Sequence, residues 1–227
     1  MLPFSQLIHP EGWRFVAIFS GVTILMCLFS ETLGWIGAIL TAWCFYFFRN
    51  PLRVTPERSG LIISPADGKI VAIRKVVPPS EWEIGEEPRV RISVFLNVFD
   101  VHINRIPISS TIRKVIYHPG KFFNASLDKA SEFNERNTLI LDLENGEDMA
   151  VVQIAGLIAR RIRCDVKQQD VVSTGSQYGI IRFGSRADIY LPLNMAPLVI
   201  EGQRVIGGET VLADFESEEL ARHGSIV

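Results

Sequence analysis

The sequence predicts a mainly β domain, a compact barrel-like β sandwich, preceded by an N-terminal apolar helical hairpin. Three observations predict it. From Trp13 to Phe48 the chain is almost wholly apolar, with Arg14 and Glu31 as its only charges. Beyond Gly60, short β-branched segments recur between Gly, Pro, Asn and Asp, the pattern of strands joined by turns. Finally, Val166–Gly175 echoes Ile200–Gly208: each places a polar turn before a Val-Val or Val-Ile pair and then a glycine. Repeated short strands of this kind suit a small barrel-like sandwich.

The hairpin comes first. Trp13–Ser30 and Thr32–Phe48 each approach the ~20 residues that a membrane-spanning helix needs. Glu31, with Gly34 close behind, suits a turn between them. Arg14, Arg49 and Arg53 flank the two outer ends, which by the positive-inside rule places both ends, and the domain attached to them, on the cytoplasmic side of the cell membrane. Asn50-Pro51 stops the second helix, because proline disfavours helical geometry in the residue before it. The division expected is therefore residues 1–52 as a membrane-associated hairpin and 53–227 as the β domain.

Within that domain, strands are expected at Lys69–Val77, Val90–Leu96, Ile112–Tyr117, Thr138–Leu143, Met149–Ile158 and Ile180–Leu191. Glu144-Asn145-Gly146-Glu147 predicts a hairpin turn, since Asn-Gly accepts the positive φ angles of the tightest turns. Asn124–Asn134 is expected as a short helix or an ordered loop.

Composition narrows the chemistry. The formal net charge of the 227 residues is -2, which gives no electrostatic footprint for nucleic acid. Cys27, Cys44 and Cys164 are far apart, and His9, His102, His118 and His223 lack the spacing of a helical metal site, so no metal and no disulfide are expected.

Three segments carry the candidate chemistry. In Phe183-Gly184-Ser185-Arg186, strand-like sequence is interrupted by a glycine followed by a serine. Such a pair can hold a hydroxyl against the preceding carbonyl, the geometry of an intramolecular acyl shift, and it can equally be a glycine bulge. In Ser64-Pro65-Ala66-Asp67-Gly68-Lys69, Asp67 is a carboxylate on a rigid turn, or simply a turn residue. In Asp100-Val101-His102-Ile103-Asn104-Arg105-Ile106-Pro107, an extended chain puts Asp100, His102, Asn104 and Ile106 on one face. His102 there is either a general acid or base, or a structural hydrogen-bonding histidine.

Taken in order, these segments resemble the short, single-domain form of the phosphatidylserine decarboxylase family, archaetidylserine decarboxylase-like members included. Tyr117–Phe122, Asn134-Glu135-Arg136-Asn137 and the apolar stretch before Arg49-Asn50-Pro51 add to the resemblance, which runs through most of residues 50–210. It implies a pyruvoyl-dependent carboxy-lyase that turns phosphatidylserine into phosphatidylethanolamine with release of CO2. It implies self-cleavage between Gly184 and Ser185, giving a large chain 1–184 and a small chain 185–227, with Ser185 becoming the covalent pyruvoyl cofactor. Asp67 and His102 map onto the family's catalytic aspartate and histidine, and the partners implied are a phospholipid substrate and the membrane.

One position departs from the pattern. Longer members carry a second histidine three residues after the first, and here that residue is Arg105. The base for self-cleavage is left open between His102 serving both steps, Asp67 acting through water, and His118. The rival reading of the whole chain is a membrane-tethered β-barrel binding module that makes no cut.

Overall fold

Two helices open the chain, α1 (Gly12–Phe29) and α2 (Glu31–Phe47). The computed structural model describes residues 7–120, 133–156, 161–182 and 185–225. The helices are joined by Ser30 alone, in an extended conformation (φ -165°, ψ 138°). The turn therefore falls one residue before Glu31, whose carboxylate sits in the first turn of α2, where the helix dipole favours an anion. Small residues let the helices approach: a Cβ on Gly34 would meet Cys27, and one on Gly37 would meet Thr23. Thr23 Oγ1 and Thr41 Oγ1 hydrogen-bond across the pair at 2.9 Å.

Apolar side chains face outward on both helices, Leu28 and Phe29 at 78% exposure and Trp35 at 66%. Among the described residues, α1 is long and apolar enough to cross a membrane. Below the helices the chain ends are pinned together by His9 N–H to Phe48 O (2.9 Å) and Asn50 N–H to Leu7 O (2.8 Å). This hairpin and Val98–Val101 form one compact unit; residues 53–97 and 102–227 form a second.

The second unit is built of thirteen strands among the described residues: β1 (Leu61–Ile63), β2 (Gly68–Val76), β3 (Arg89–Leu96), β4 (Ile103–Arg105), β5 (Ser110–His118), β6 (Arg136–Leu143), β7 (Asp148–Ala155), β8 (Ile162–Cys164), β9 (Val171–Val172), β10 (Gln177–Ile181), β11 (Ser185–Tyr190), β12 (Arg204–Val205) and β13 (Val211–Asp214). Eight form a curled sheet in the order β12-β2-β3-β11-β7-β6-β5-β9. The pairs β1-β13 and β4-β10-β8 form two smaller sheets. Their apolar residues, Ile62, Ala213 and Tyr178 among them, join Ile70, Val94, Leu139, Val151, Ala187 and Ile189 in the main core. The other face of the large sheet is covered around Trp82, which packs edge-on against Tyr190 (4.9 Å, 85°).

The expected mainly β architecture with its apolar helical preface is thus present. The Asn145-Gly146 turn closes β6 onto β7 with Gly146 at φ +85°. Two expectations need adjustment. Ile180–Leu191 is not one strand: β10 belongs to the three-stranded sheet and β11 to the large one, so the chain changes sheets between Ile181 and Ser185. Asn124–Asn134 lies outside the described residues except for Phe133 and Asn134.

The sequence echo has a structural counterpart. β9, which is the pair Val171-Val172, and β12, which includes Val205 of the pair Val205-Ile206, are the opposite edges of the large sheet. Gln169 N–H donates to Ile112 O (2.7 Å) and Ile112 N–H to Asp170 O (3.0 Å); Gly202 N–H donates to Ile70 O (2.8 Å) and Ile70 N–H to Gln203 O (2.9 Å). The register of β2 on β3 matches that of β5 on β6, each with a bulge directly after Ile70 or Ile112. Ile189 and Val151, which pair with each other, hold equivalent places, so a pseudo-twofold axis passes between β11 and β7.

Candidate active site

Ser185 is the first residue of β11, a central strand paired on both sides, opposite Leu96 of β3 and Ala155 of β7. It is fully buried, and its Oγ has no hydrogen-bond partner among the described residues. A buried hydroxyl without a partner is uncommon, because it has given up water without compensation. Gly184 lies outside the described residues. Side chains alternate along a strand, so Ser185 shares the inner face with Ala187, and Ala155 and Gln153 lie beside them on β7.

The segment preceding β4 brings His102 to this level. β4 runs antiparallel to β10 with Ile103 opposite Ile180, and Ile181 N–H donates to the His102 carbonyl at 3.2 Å. Ile181 in turn clusters with Ala155, the direct strand neighbour of Ser185. His102 is completely buried. The Asn134–Asn137 motif closes around the same place: Asn134 Nδ2 donates to Ala155 O (2.7 Å), and Ala155 N–H donates to Glu135 O (2.9 Å). Glu135 Oε1 also accepts from Tyr117 Oη (3.1 Å) and from Ile162 N–H (3.2 Å). Burial, then Glu135, pushes the Tyr117 phenol above its ordinary range.

Asp67 is held differently. Both its oxygens accept from Arg53 (2.9 and 2.7 Å), and Oδ1 also accepts the Gly207 N–H at 2.8 Å. The next residue, Gly68, sits in the row of Val205, Leu96 and Ser185, two strands from β11, or roughly 10 Å at the usual interstrand spacing. No side chain fits there, since a Cβ on Gly68 would lie 2.2 Å from the Phe95 carbonyl oxygen. Arg105, the departure from the family pattern, donates to Gly175 O at 2.9 Å. Burial and the nearby Arg53 lower its pKa, against the opposing pull of Asp67 and Glu209.

His118 is placed on the wrong side of the sheet to serve as the base. It pairs with Arg136, whose neighbour Ile154 belongs to the outer cluster, and its Nε2 lies 3.3 Å from Glu81. The three sequence-derived residues are thus separated: His102 is linked through its carbonyl to Ile181, which clusters with the strand neighbour of Ser185, and Asp67 stands in a charged cluster two strands away. A cleft of about 780 Å³ elsewhere in the unit, lined by Arg58, Ser109, Thr174 and Phe215, shares only Arg53 with that cluster and includes neither Ser185 nor His102.

Sequence reasoning missed a buried polar set on the inner face. Asn137 Nδ2 donates to Gln153 Oε1 (3.0 Å), and Gln153 Nε2 donates to Asn104 Oδ1 (2.9 Å). The available signal was an amide in each of two strands with long apolar runs, Arg136–Leu143 and Asp148–Ala155.

The family model for phosphatidylserine decarboxylase matches residues 40–213. A phosphatidylserine decarboxylase proenzyme of Cereibacter sphaeroides is 58% identical, with 98% of this chain and 96% of the relative aligned. One from Ruegeria pomeroyi is 54% identical over 94% of this chain and 97% of its own length. One from Paramagnetospirillum magneticum is 55% identical over 96% and 91%. The chain belongs to the phosphatidylserine decarboxylase family.

Proposed function

We propose that the chain is a self-processing, pyruvoyl-dependent decarboxylase that converts phosphatidylserine to phosphatidylethanolamine and CO2, cutting itself between Gly184 and Ser185. The observation that carries this reading is the place of Ser185: a buried hydroxyl, unpartnered among the described residues, where the chain switches from one sheet to another. A binding module has no use for that arrangement, and its polar atom would be a net cost.

The residues present fit the pyruvoyl group. It is as small as serine, and position 185 is enclosed by Leu96 and Ala155 with a buried oxygen already in place. In the uncut chain an imidazole nitrogen of His102 takes the Ser185 Oγ proton. The oxygen's electron pair forms a bond to the Gly184 carbonyl carbon, the C–N bond breaks, and the nitrogen of residue 185 takes a proton to leave an amine and an ester. Loss of the Cα proton expels the Gly184 carboxylate and leaves a carbon–carbon double bond on residue 185, and water then replaces the nitrogen, released as ammonia, with oxygen. The finished group supplies a ketone that takes up the substrate's amine and accepts the electron pair freed as CO2 leaves. His102 then returns a proton to the substrate carbon. Asp67 has the supporting role, an ionised carboxylate fixed by Arg53 and Gly207 that balances the nearby Arg105.

The strand order explains how the cut protein would hold together. Residues 185–227 contribute β11, β12 and β13, and each pairs with strands of residues 1–184: β11 with β3 and β7, β12 with β2, β13 with β1. Residues 1–52 are assigned to membrane attachment and 53–227 to catalysis on the cytoplasmic side; the outward apolar face of α1 and the arginines at the outer ends support this.

Intact mass tests the reading. The purified wild-type chain of 25.5 kDa should resolve into two chains joined without a disulfide, the smaller lacking a free amino terminus. Ser185→Ala should remain one uncut, inactive chain. An uncut wild-type protein that still decarboxylates phosphatidylserine would overturn the mechanism.

A further inference from the structure

Three buried amides form a one-way chain across the inner face. Asn137, Gln153 and Asn104 are each at most 2% exposed. The Asn137 side chain hydrogen-bonds Cys164, whose thiol is raised chiefly by burial. Asn137 donates to Gln153 and Gln153 donates to Asn104, so the donor left over at the end is Asn104 Nδ2. That atom is buried and has no partner among the described residues. Each amide in the chain fixes the next, because an acceptor oxygen that is already engaged sets which way the carboxamide is turned.

The pseudo-twofold axis makes the set informative. Asn104 pairs with Gly179 of β10 where the other half pairs Ile62 with Ala213, and the equivalents of Gln153 and Asn137 are Leu191 and Val90. All three equivalents are apolar members of the main core or packed against it. The scaffold therefore packs with hydrocarbon at these three places, and folding alone does not call for amides, which cost free energy to bury.

The unspent donor lies close to an unspent acceptor. Asn104 is level with Gly179, whose Cβ position is 3.1 Å from Gln153 Nε2, while Ser185 is level with Ala155 and Ile181. One row of the sheet separates the two levels, about 7 Å at the rise of a strand. The two atoms are not bonded to each other in this structure; a change of the serine rotamer is the movement that would bring the hydroxyl toward the carboxamide.

We infer that Asn104 is a further catalytic residue of self-processing: on rotation of the Ser185 hydroxymethyl group its Nδ2–H, unbonded in this structure, donates to Ser185 Oγ, and Gln153 and Asn137 are the positioning residues that aim it. The inference rests on the reading of Ser185 as the nucleophile. The bond holds the hydroxyl in one rotamer with its own hydrogen free for His102. As that proton leaves, the same donor stabilises the negative charge growing on Oγ, in a site that water does not screen.

The test monitors cleavage of full-length protein by intact mass, with thermal melting alongside. Asn104→Asp keeps the acceptor for Gln153 and removes the donor. At neutral pH its cleavage should be at least about tenfold slower than wild type, as expected for loss of a donor to a developing oxyanion. Lowering the pH should narrow that ratio, because a buried carboxyl protonates readily and then donates again. The wild-type rate itself should fall with pH as its base is protonated. Equal rates at every pH, or a slowdown that pH does not relieve, would overturn the inference. If N104D does not fold, the triple variant N104I/Q153L/N137V, which installs the residues of the other half, decides. A folded but slowly cut triple variant supports the inference; one that cuts at the wild-type rate, or fails to fold, refutes it. Failure of Ser185→Ala to differ from wild type would instead sink the underlying reading, whereas normal N104D cleavage with an uncut S185A sinks only this inference.

Discussion

The two halves of the β unit share a backbone plan and differ in what they bury. In the half built on β1, β2, β12 and β13, the strand entering the sheet carries Ile62 and Ile63, and the turn after it carries Asp67, bonded to Gly207 N–H at 2.8 Å. In the half built on β4, β5, β9 and β10, the entering strand carries Asn104 and comes directly after His102, and the turn carries Ser109, whose Oγ accepts the Thr174 N–H at 3.0 Å. The loop geometry is repeated; the side chains are not. One half is charged at its turn and dry in its strand, the other neutral at its turn and polar in its strand. Shared features report what the fold requires, and departures from symmetry mark where free energy has been diverted to function.

The sharpest way to break the comparison is at His102, which corresponds to Gly60 in the other half. His102→Ala removes the imidazole at the level of Ser185, and cleavage should fall by two to four orders of magnitude, roughly the contribution of a general base. The gain of two chains is read by intact mass. A His102→Ala protein that cuts at the wild-type rate would make His102 structural, as Gly60 is.

The next contrast is on the outer face. Arg186 is 1% exposed and binds Asp188 with two contacts of 2.8 Å. Its counterpart Asp148 is held by Arg89 (2.5 Å) and Arg113 (2.8 Å) and is partly exposed. Arg186→Met leaves the buried Asp188 carboxylate with the more distant Arg91 (4.0 Å) and should cost about 3 kcal/mol, whereas Asp148→Asn should cost about 1–2 kcal/mol. Chemical denaturation of both variants on the uncut S185A background checks the order. Since residue 186 is the second residue after the proposed cut, its ion pair also anchors the new end of the small chain.

Much of this was legible in the sequence because apolar periodicity reports burial directly. The hairpin and most of the strands followed from it, and Asn145-Gly146 marked its turn; the echoing turns suggested a compact sandwich, and only the strand order shows that they lie at the two edges of one sheet. The change of sheets near Ser185 was less visible, since β-branched residues mark a strand without naming its partner; only Gly184-Ser185 interrupted the run. The amides escaped for a related reason. A polar residue alternating with apolar ones in a strand reads as solvent-facing, and Asn137 and Gln153 reveal their inward orientation only once the small sheets cover that face. Asp67 was visible as a carboxylate on a turn, but the groups that fix it, Arg53 and Gly207, come from segments remote in sequence.

The smallest effect concerns how the two halves are tied at their rims. Asp214 ends β13, where its counterpart Ile180 in β10 is fully buried and apolar. Asp214 instead pairs with Arg58, a contact that after cleavage would join the small chain to the large one. Arg58 holds the Asp214 carboxyl below its ordinary value of 3.8. A carboxylate depressed in the folded state contributes stability that is complete above the unfolded value and is lost as pH falls through the folded one. The pair lies at the surface, so its worth is below about 1 kcal/mol. Asp214→Asn should therefore melt slightly below the parent at pH 6, and the gap should close as the pH falls below the ordinary carboxyl value and through the lowered folded one. The comparison is again best made on uncut S185A protein, where chain dissociation does not enter. A gap that persists unchanged at acid pH would mean that Asp214 acts through its backbone-capping bond to Glu216 rather than through Arg58.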